Sequence, residues 1–136
     1  MSGGLCFPLY ACSREIIKRY TPFLEKIDLT YTQYIATMVL WGKKQISVKE
    51  LGKCLFLDSG TLTPLLKKLE QKGYVTRTRS EEDERVLIAA ITPKGEDLKD
   101  EAVLIPQKMM ACAALLQEKA AQLYTLLYEL LNTLEK

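Results

Sequence analysis

A run of leucines between Asp58 and Gly73 follows the period of an amphipathic α-helix. Positions i, i+3, i+4 and i+7 of this run carry Leu62, Leu65, Leu66 and Leu69. Asp58 or Ser59 is suited to cap the start of the helix, and Gly73 is suited to end it. We therefore predict a helix between these limits, with a local distortion at Pro64 because proline lacks a backbone N–H.

Two stretches after Gly73 predict β-strands joined by a charged turn. Thr76 and Thr78 alternate with arginines in the first stretch, and residues 86–91 form an apolar partner for it. The turn, residues 80–84, contains neither glycine nor asparagine, so we predict that it is longer than a two-residue hairpin turn. A short helix followed by such a hairpin is the layout of a winged helix-turn-helix.

Three more helices are predicted ahead of this unit. Residues 7–23 carry an apolar stripe, and Pro22 ends this first helix or kinks its last turn. Thr30 is placed to cap a second helix, which runs to about residue 41 and is apolar on most sides. Ser47 and Glu50 match a capping box, which predicts a short third helix to about residue 55.

Beyond Thr92 the pattern is helical to residue 136. Thr92 is suited to cap this part, and Pro93 is suited to the first helical position. We predict two helices here, with Pro106 bending the first or lying near a break. The fold class is therefore mainly α with a small β-hairpin wing.

The last predicted helix carries leucine and tyrosine on more than one face, including Tyr124 and Tyr128. A four-helix winged core cannot cover both this helix and the first one. We therefore predict a single domain, residues 1–136, in which 30–95 form the winged part. Residues 1–29 and 96–136 are predicted to form the dimerisation helices of a symmetric homodimer. The alternative is that these helices pack only on their own domain.

Composition excludes several function classes. The chain has no histidine, which removes the usual general base and argues against a hydrolase. Its four cysteines form no CxxC pair, so we predict neither a metal site nor a cofactor. No apolar run is long enough to span a membrane, and the N-terminus lacks the basic region of a secretory signal. We therefore expect a cytoplasmic protein without a membrane partner.

The outward face of the predicted Asp58–Gly73 helix carries residue types that bind DNA. These are Ser59, Thr61, Thr63, Lys67 and Lys68. The net charge of the chain is only +2, and the segment 67–85 contains six cations and five acids. Composition therefore leaves the charged turn open to two interpretations, a DNA-binding wing or a solvated loop.

The hairpin resembles the wing signature of the MarR family of winged-helix repressors. The matching positions are Asp83, Arg85, Leu87, Ile88, Thr92 and Gly95. The runs LDSGTLTPLLKKLE and RSEEDER resemble the OhrR-type branch, which responds to organic hydroperoxides. The resemblance covers nearly the whole chain and implies a non-enzymatic repressor dimer on a pseudo-palindromic DNA operator. It implies that Arg85 enters the minor groove, oriented by Asp83, and that Ser59, Thr61 and Thr63 face the major groove with Lys67 nearby.

Cys6 lies at or just before the start of the first predicted helix, where the helix dipole favours a thiolate. Arg14 or Lys18 would add to this effect. The alternative is that Cys6 is an ordinary packing residue. The resemblance implies that an organic hydroperoxide oxidises Cys6 to sulfenic acid, and that Tyr20 and Tyr31 hydrogen-bond this thiol across the dimer.

The same resemblance implies a resolving role for Cys112, which would form a disulfide with Cys6 of the partner subunit. The alternative is that Cys112 only packs in its helix. Cys12 is interpreted as a packing residue and Cys54 as incidental. Three other functions remain as hypotheses: a MarR-type regulator that senses a small aromatic or phenolic ligand without thiol chemistry, a thiol peroxidase, and a purely structural dimerisation module.

Overall fold

The computed structural model describes the backbone of residues 4–112 and 114–134, and the side chains of 4–109 and 119–134. In this part of the chain the elements are α1 (Cys6–Glu25), α2 (Tyr31–Lys43), β1 (Gln45–Ser47), α3 (Val48–Leu55), α4 (Ser59–Gln71), β2 (Val75–Arg79), β3 (Leu87–Ile91), α5 (Pro93–Ala102), α6 (Ile105–Cys112) and α7 (Ala114–Leu134). The predicted fold class, mainly α with a small β wing, is confirmed.

Helix α4 has the limits that its sequence predicts. Asp58 rather than Ser59 is the N-cap, because its Oδ1 accepts a hydrogen bond of 2.8 Å from the backbone N–H of Thr61. The four leucines of the stripe are all buried. Pro64 lies inside the helix, which runs on to Gln71 without a break. Gly73 ends it with φ of 84°, a conformation that favours glycine.

Side-chain caps start three of the other helices. Thr30 and Gln33 form a full capping box at α2, with two reciprocal bonds between backbone and side chain. Thr92 caps α5 by accepting from the N–H of Gly95. At α3 only the serine half of the predicted box forms, since Ser47 accepts from Glu50 while the Glu50 carboxylate lies 3.8 Å from Lys53 Nζ. Ser47 is also the last residue of β1, so its backbone belongs to the sheet.

The sheet has three antiparallel strands in the order β1-β3-β2. Arg77 of β2 lies opposite Ala89, and Ser47 of β1 lies opposite Ile88. The first strand was not predicted, because three residues are too few to show a period of two. The loop between β2 and β3 is longer than two residues, as predicted, and the N–H of Ser80 donates to the carbonyl of Val86.

The first helix ends two residues later than predicted, whereas Pro106 lies near a break, as predicted. Helix α1 continues to Glu25, with Pro22 in its last turn. After Thr92 the described residues form α5, α6 and α7, and a break in the helical backbone lies between Ala102 and Ile105. Pro106 lies in the first turn of α6, next to this break, where a missing N–H costs no helical hydrogen bond.

The chain divides into two compact units, Met1–Val103 and Leu104–Lys136. The first has a core of aliphatic side chains from α1 to β2, with Leu24, Leu40, Leu51 and Leu66 nearly inaccessible to solvent. Trp41 of α2 is buried beside Tyr34 and donates a hydrogen bond of 2.9 Å to the carbonyl oxygen of Gly95. The second unit consists of α6 and α7. No helix in the described ranges is long and apolar enough to cross a membrane.

Candidate functional site

Helices α3 and α4 form a helix-turn-helix with a tight turn. Phe56 follows α3 in the left-handed conformation, and the N–H of Leu57 donates to the carbonyl of Gly52 at 3.0 Å. A Cβ on Gly52 would lie 3.0 Å from the carbonyl oxygen of Leu57, so only glycine fits comfortably. The turn thereby leaves one side of α4 buried in the core and the other open to solvent.

The five α4 residues that the sequence singles out lie on the solvent-exposed side of the helix. Ser59, Thr61, Thr63 and Lys67 are all exposed, as is Lys68. Hydroxyls in the first turns and lysines one turn further along form a surface that can contact base edges and phosphates. This face is the one that a helix-turn-helix directs at the major groove.

At the tip of the wing, Asp83 accepts hydrogen bonds from Arg85. The backbone N–H and Nε of Arg85 donate to Oδ1 at 3.0 and 3.2 Å, and Nη2 donates to Oδ2 at 3.4 Å. These bonds, first the backbone one, lower the pKa of Asp83. The Arg85 side chain remains 91% exposed. The guanidinium is therefore anchored on one side and available to a ligand on the other.

A second ion pair, which sequence reasoning missed, joins α4 to the wing. Nη2 of Arg77 on β2 donates to Oε1 of Glu70 on α4 at 3.1 Å, and the Arg77 side chain is 17% exposed. This bond lowers the pKa of Glu70. Glu70 therefore faces a cation and does not repel an anion at the α4 surface. The local charge count overstated the acidity of α4, because the other acids of segment 67–85 lie in the wing loop.

Cys6 is the first residue of α1 and is exposed. The predicted help from Arg14 or Lys18 is wrong within one subunit. Arg14 donates to the hydroxyl of Tyr10 at 2.9 Å, and Lys18 pairs with Glu15 at 3.3 Å. The physical reason is distance, because eight residues of α-helix separate Cys6 from Arg14 by about 12 Å along the axis.

Tyr20 and Tyr31 come together in the same subunit. Their ring centroids are 5.2 Å apart in an edge-to-face contact, and Tyr34 lies 5.9 Å from Tyr20. Burial raises the pKa of Tyr20 and of Tyr31, and raises that of Tyr34 to about 12. These hydroxyls are therefore protonated at neutral pH and able to donate hydrogen bonds. Tyr20 is fourteen residues beyond Cys6 on one helix, about 21 Å along its axis.

The other three cysteines, Cys12, Cys54 and Cys112, lie on α1, α3 and α6. Cys112 is the last residue of α6, and its side chain lies outside the described residues. Cys12 is exposed, so its interpretation as a packing residue is wrong within one subunit. Cys54 is exposed on α3. Among the described residues no cluster of three acidic or thiol side chains is arranged to hold a metal ion.

Comparison with known proteins places this arrangement among DNA-binding regulators. Residues 18–102 match the family described as transcriptional regulator SarA/Rot. The chain is 48% identical over 136 residues to the organic hydroperoxide resistance transcriptional regulator of Bacillus subtilis (strain 168), covering 100% of this chain and 92% of that protein. It is 50% identical over 109 residues to the HTH-type transcriptional regulator SarZ of Staphylococcus aureus (strain USA300), covering 80% of this chain and 74% of the relative.

Solved structures show the same fold. Reduced AbfR bound to DNA is 31% identical, with a TM-score of 0.80 over 97% of this chain and 91% of that one. The MepR–DNA complex of Staphylococcus aureus is 20% identical, with a TM-score of 0.83 over 97% of this chain and 99% of the other, and supports the fold alone. These relatives and neighbours are regulators rather than enzymes.

Proposed function

Because this chain belongs to the SarA/Rot group of MarR-type winged-helix transcriptional regulators, we propose that it represses transcription from DNA and releases that DNA when an organic hydroperoxide oxidises Cys6. The observation that carries the proposal is full-length similarity to a regulator named for organic hydroperoxide resistance, combined with an exposed thiol at the start of α1. In this proposal the protein acts in the cytoplasm, where the DNA is.

DNA binding uses α4 and the wing together. Helix α4 enters the major groove with Ser59, Thr61 and Thr63 towards base edges and phosphates, and Lys67 neutralises a nearby phosphate. Arg85 enters the adjacent minor groove, where a narrow A·T tract concentrates negative potential. Asp83 holds its guanidinium in place through the bonds already described. The exposure of all these cationic and hydroxyl groups supports this assignment.

The active form is a homodimer on a pseudo-palindromic operator. Both terminal helices expose large apolar side chains in the single chain, including Phe7 and Tyr10 on α1 and Tyr124 and Leu126 on α7. Such surfaces mark protein interfaces. A two-fold symmetric dimer presents two copies of α4 to successive major grooves about 34 Å apart, which matches the two half-sites of a palindrome.

The sensing step is oxidation of the Cys6 thiolate. Its sulfur attacks one oxygen of the hydroperoxide, the O–O bond breaks, and the leaving alkoxide takes up a proton to become an alcohol. Cys6 is left as sulfenic acid. The Tyr20 and Tyr31 hydroxyls of the partner subunit donate hydrogen bonds to this sulfur in the proposal, since in the same subunit Tyr20 is about 21 Å along the helix.

Cys112 of the partner subunit then resolves the sulfenic acid. Its thiolate attacks the oxidised sulfur, an S–S bond forms, and the hydroxyl leaves as water after gaining a proton. The crosslink moves the terminal helices and changes the spacing of the two α4 helices. Loss of register at the half-sites removes much of the roughly 4–10 kcal/mol that separates specific from non-specific DNA binding.

The test uses a DNA duplex selected from a random library by the reduced protein, called here the selected duplex. Its affinity is measured by fluorescence anisotropy before and after one equivalent of cumene hydroperoxide. We expect release from the wild-type protein and from the controls Cys12→Ser and Cys54→Ser, and retention by Cys6→Ser. Hydroperoxide-dependent release from Cys6→Ser would disprove the thiol switch. Non-reducing mass spectrometry separates a Cys6–Cys112 crosslinked dimer from a sulfenic acid.

A further inference from the structure

The carboxyl end of α4 is held to the corner between α1 and α2 by one side chain, Lys72. Its Nζ donates to the backbone carbonyl of Asp28 at 2.7 Å and to Oε1 of Gln33 at 2.9 Å. The Asp28 carboxylate lies 3.5 Å from the same nitrogen. Two of the three ammonium protons are therefore donated to protein oxygens, and the Asp28 carboxylate forms an ion pair with the same group.

The acceptors of Lys72 are themselves fixed. Gln33 is buried, and its Oε1 also accepts from the backbone N–H of Thr30 as half of the α2 capping box. Asp28 has φ of 57°, a conformation that a tight corner imposes on a residue other than glycine. Lys72 therefore contacts a hydrogen-bonded corner, and the N-terminal cap of α2 and the end of α4 share the Gln33 amide oxygen.

The same end of α4 is attached on its other side to the start of α5. Lys94 Nζ donates to the carbonyl of Lys72 at 3.0 Å, and the Thr92 hydroxyl donates to the carbonyl of Gly73 at 2.7 Å. The α1–α2 corner and the start of α5 thus both contact the end of α4 at residues 72–73. Helix α1 carries Cys6, so the contact of Lys72 with Asp28 connects the end of the thiol-bearing helix to α4.

We infer that Lys72 is a positioning residue that fixes α4 to the α1–α2 corner and passes movement of α1 on to the DNA-binding surface. The effect on DNA binding rests on the proposed function. The contacts of Lys72 with Asp28 and Gln33, called here the clamp, do not depend on it. The Lys72 side chain is only 27% exposed and its Nζ contacts three protein oxygens, in contrast to the exposed Lys67 and Lys68. Its charge therefore serves the internal junction and not a phosphate.

Lys72→Met tests the clamp because it removes the ammonium and keeps an unbranched chain of similar length. The Asp28 carbonyl can turn to water and Gln33 keeps its bond to Thr30, so we expect the variant to fold. Lys68→Met is the matched control, since it removes one cation from the same helix without breaking the junction.

The first measurement is amide hydrogen exchange of the reduced protein without DNA. In Lys72→Met we expect faster exchange at two separated sites, the N–H of Leu29 in the corner and that of Tyr74 after α4, both hydrogen-bonded in the structure. The amide of Leu66 in the middle of α4 serves as an internal reference. Equal acceleration at all three amides would indicate general destabilisation, and no acceleration at Leu29 would overturn the clamp.

The second measurement compares the affinity of the reduced protein for the selected duplex and for an unrelated duplex. We expect Lys72→Met to lower the affinity for the selected duplex about five- to tenfold, the low end of coupling between sites, and to leave non-specific affinity unchanged. Equal losses on both duplexes with a smaller salt dependence would overturn the inference and assign Lys72 to phosphate contact. Failure of hydroperoxide to release the wild-type protein would refute the proposed function but leave both measurements on Lys72 decisive.

Discussion

Asp83 and Arg85 form a closed pair at the wing tip in which the carboxylate accepts from both the backbone and the guanidinium of the arginine. In the proposed DNA complex, an acid at the wing tip has two opposite effects. Its charge repels phosphate, whereas its hydrogen bonds hold the arginine in one orientation. The relative size of these effects can be measured.

Asp83→Asn is expected to weaken binding to the selected duplex even though it makes the protein more positive. The amide keeps one acceptor oxygen but loses the carboxylate charge that attracts the guanidinium and strengthens its hydrogen bonds. We expect a loss of a few-fold in affinity, measured by fluorescence anisotropy. Glu84→Gln, which removes a neighbouring exposed acid, is the control and should bind as well as the wild type or better. Tighter binding by Asp83→Asn would show that repulsion dominates.

Lys67→Met tests whether the exposed face of α4 meets the DNA backbone. Removing one phosphate contact should weaken binding to every sequence alike and reduce the slope of log affinity against log salt by about one. Titrations at several salt concentrations measure this slope. Lys99→Met, which removes an exposed cation from α5, should leave it unchanged. An unaltered slope in Lys67→Met would place α4 in another orientation on DNA.

The Glu70–Arg77 pair predicts how stability depends on pH. The pKa of Glu70 is lowered in the folded protein by the hydrogen bond from Arg77. The pair therefore stabilises the fold above the ordinary glutamate pKa of 4.5 and loses this contribution as the pH falls through the lower folded value. Glu70→Gln should flatten the loss of stability below about pH 5, as measured by urea unfolding. Glu81→Gln, an exposed acid outside the pair, should retain the wild-type profile.

The same pair is expected to respond unequally to removal of either partner. Arg77 is mostly buried, and its Nε has no hydrogen-bond partner among the described residues. Glu70→Ala therefore leaves a buried cation uncompensated, whereas Arg77→Met leaves a carboxylate that reaches water. We expect Glu70→Ala to lower the melting temperature more than Arg77→Met does. The opposite order in thermal unfolding would contradict this account.

Two glycines give opposite predictions for the same substitution. A Cβ on Gly95 would overlap the carbonyl oxygen of Tyr74 and lie 2.7 Å from Ile91 Cδ1, and backbone cannot move aside cheaply. Gly95→Ala should cost about 2–3 kcal/mol of unfolding free energy. Gly42 in α2 has open space around it, so Gly42→Ala should add about 0.5–1 kcal/mol. Urea unfolding of both variants measures the difference.

Local patterns in the sequence were enough to place most of the fold. The leucine stripe of α4 and the caps Thr30, Asp58 and Thr92 depend on neighbours within one or two turns, and these features appear as predicted. Strand β1 was missed because its three residues belong to a sheet only through pairing with β3, more than 40 residues away.

The contacts that organise the candidate site join different elements of the fold, as the pairing of β1 with β3 does. Lys72 meets Asp28 across 44 residues, and Arg77 meets Glu70 between a strand and a helix. Neither pair belongs to a periodic pattern that can be recognised in the sequence. The Cys6–Cys112 disulfide remains a prediction, because it depends on a second chain and on a side chain outside the described residues.

The chain contains a single tryptophan, Trp41, whose surroundings make its fluorescence sensitive to the contact between two helices. Trp41 is buried, its indole N–H bonds the carbonyl of Gly95, and its ring lies 6.3 Å from that of Tyr34. Indole emission depends on the polarity and hydrogen bonding of its surroundings. The protein therefore carries an intrinsic optical probe at the contact between α2 and α5, which reports changes at this contact without an added label.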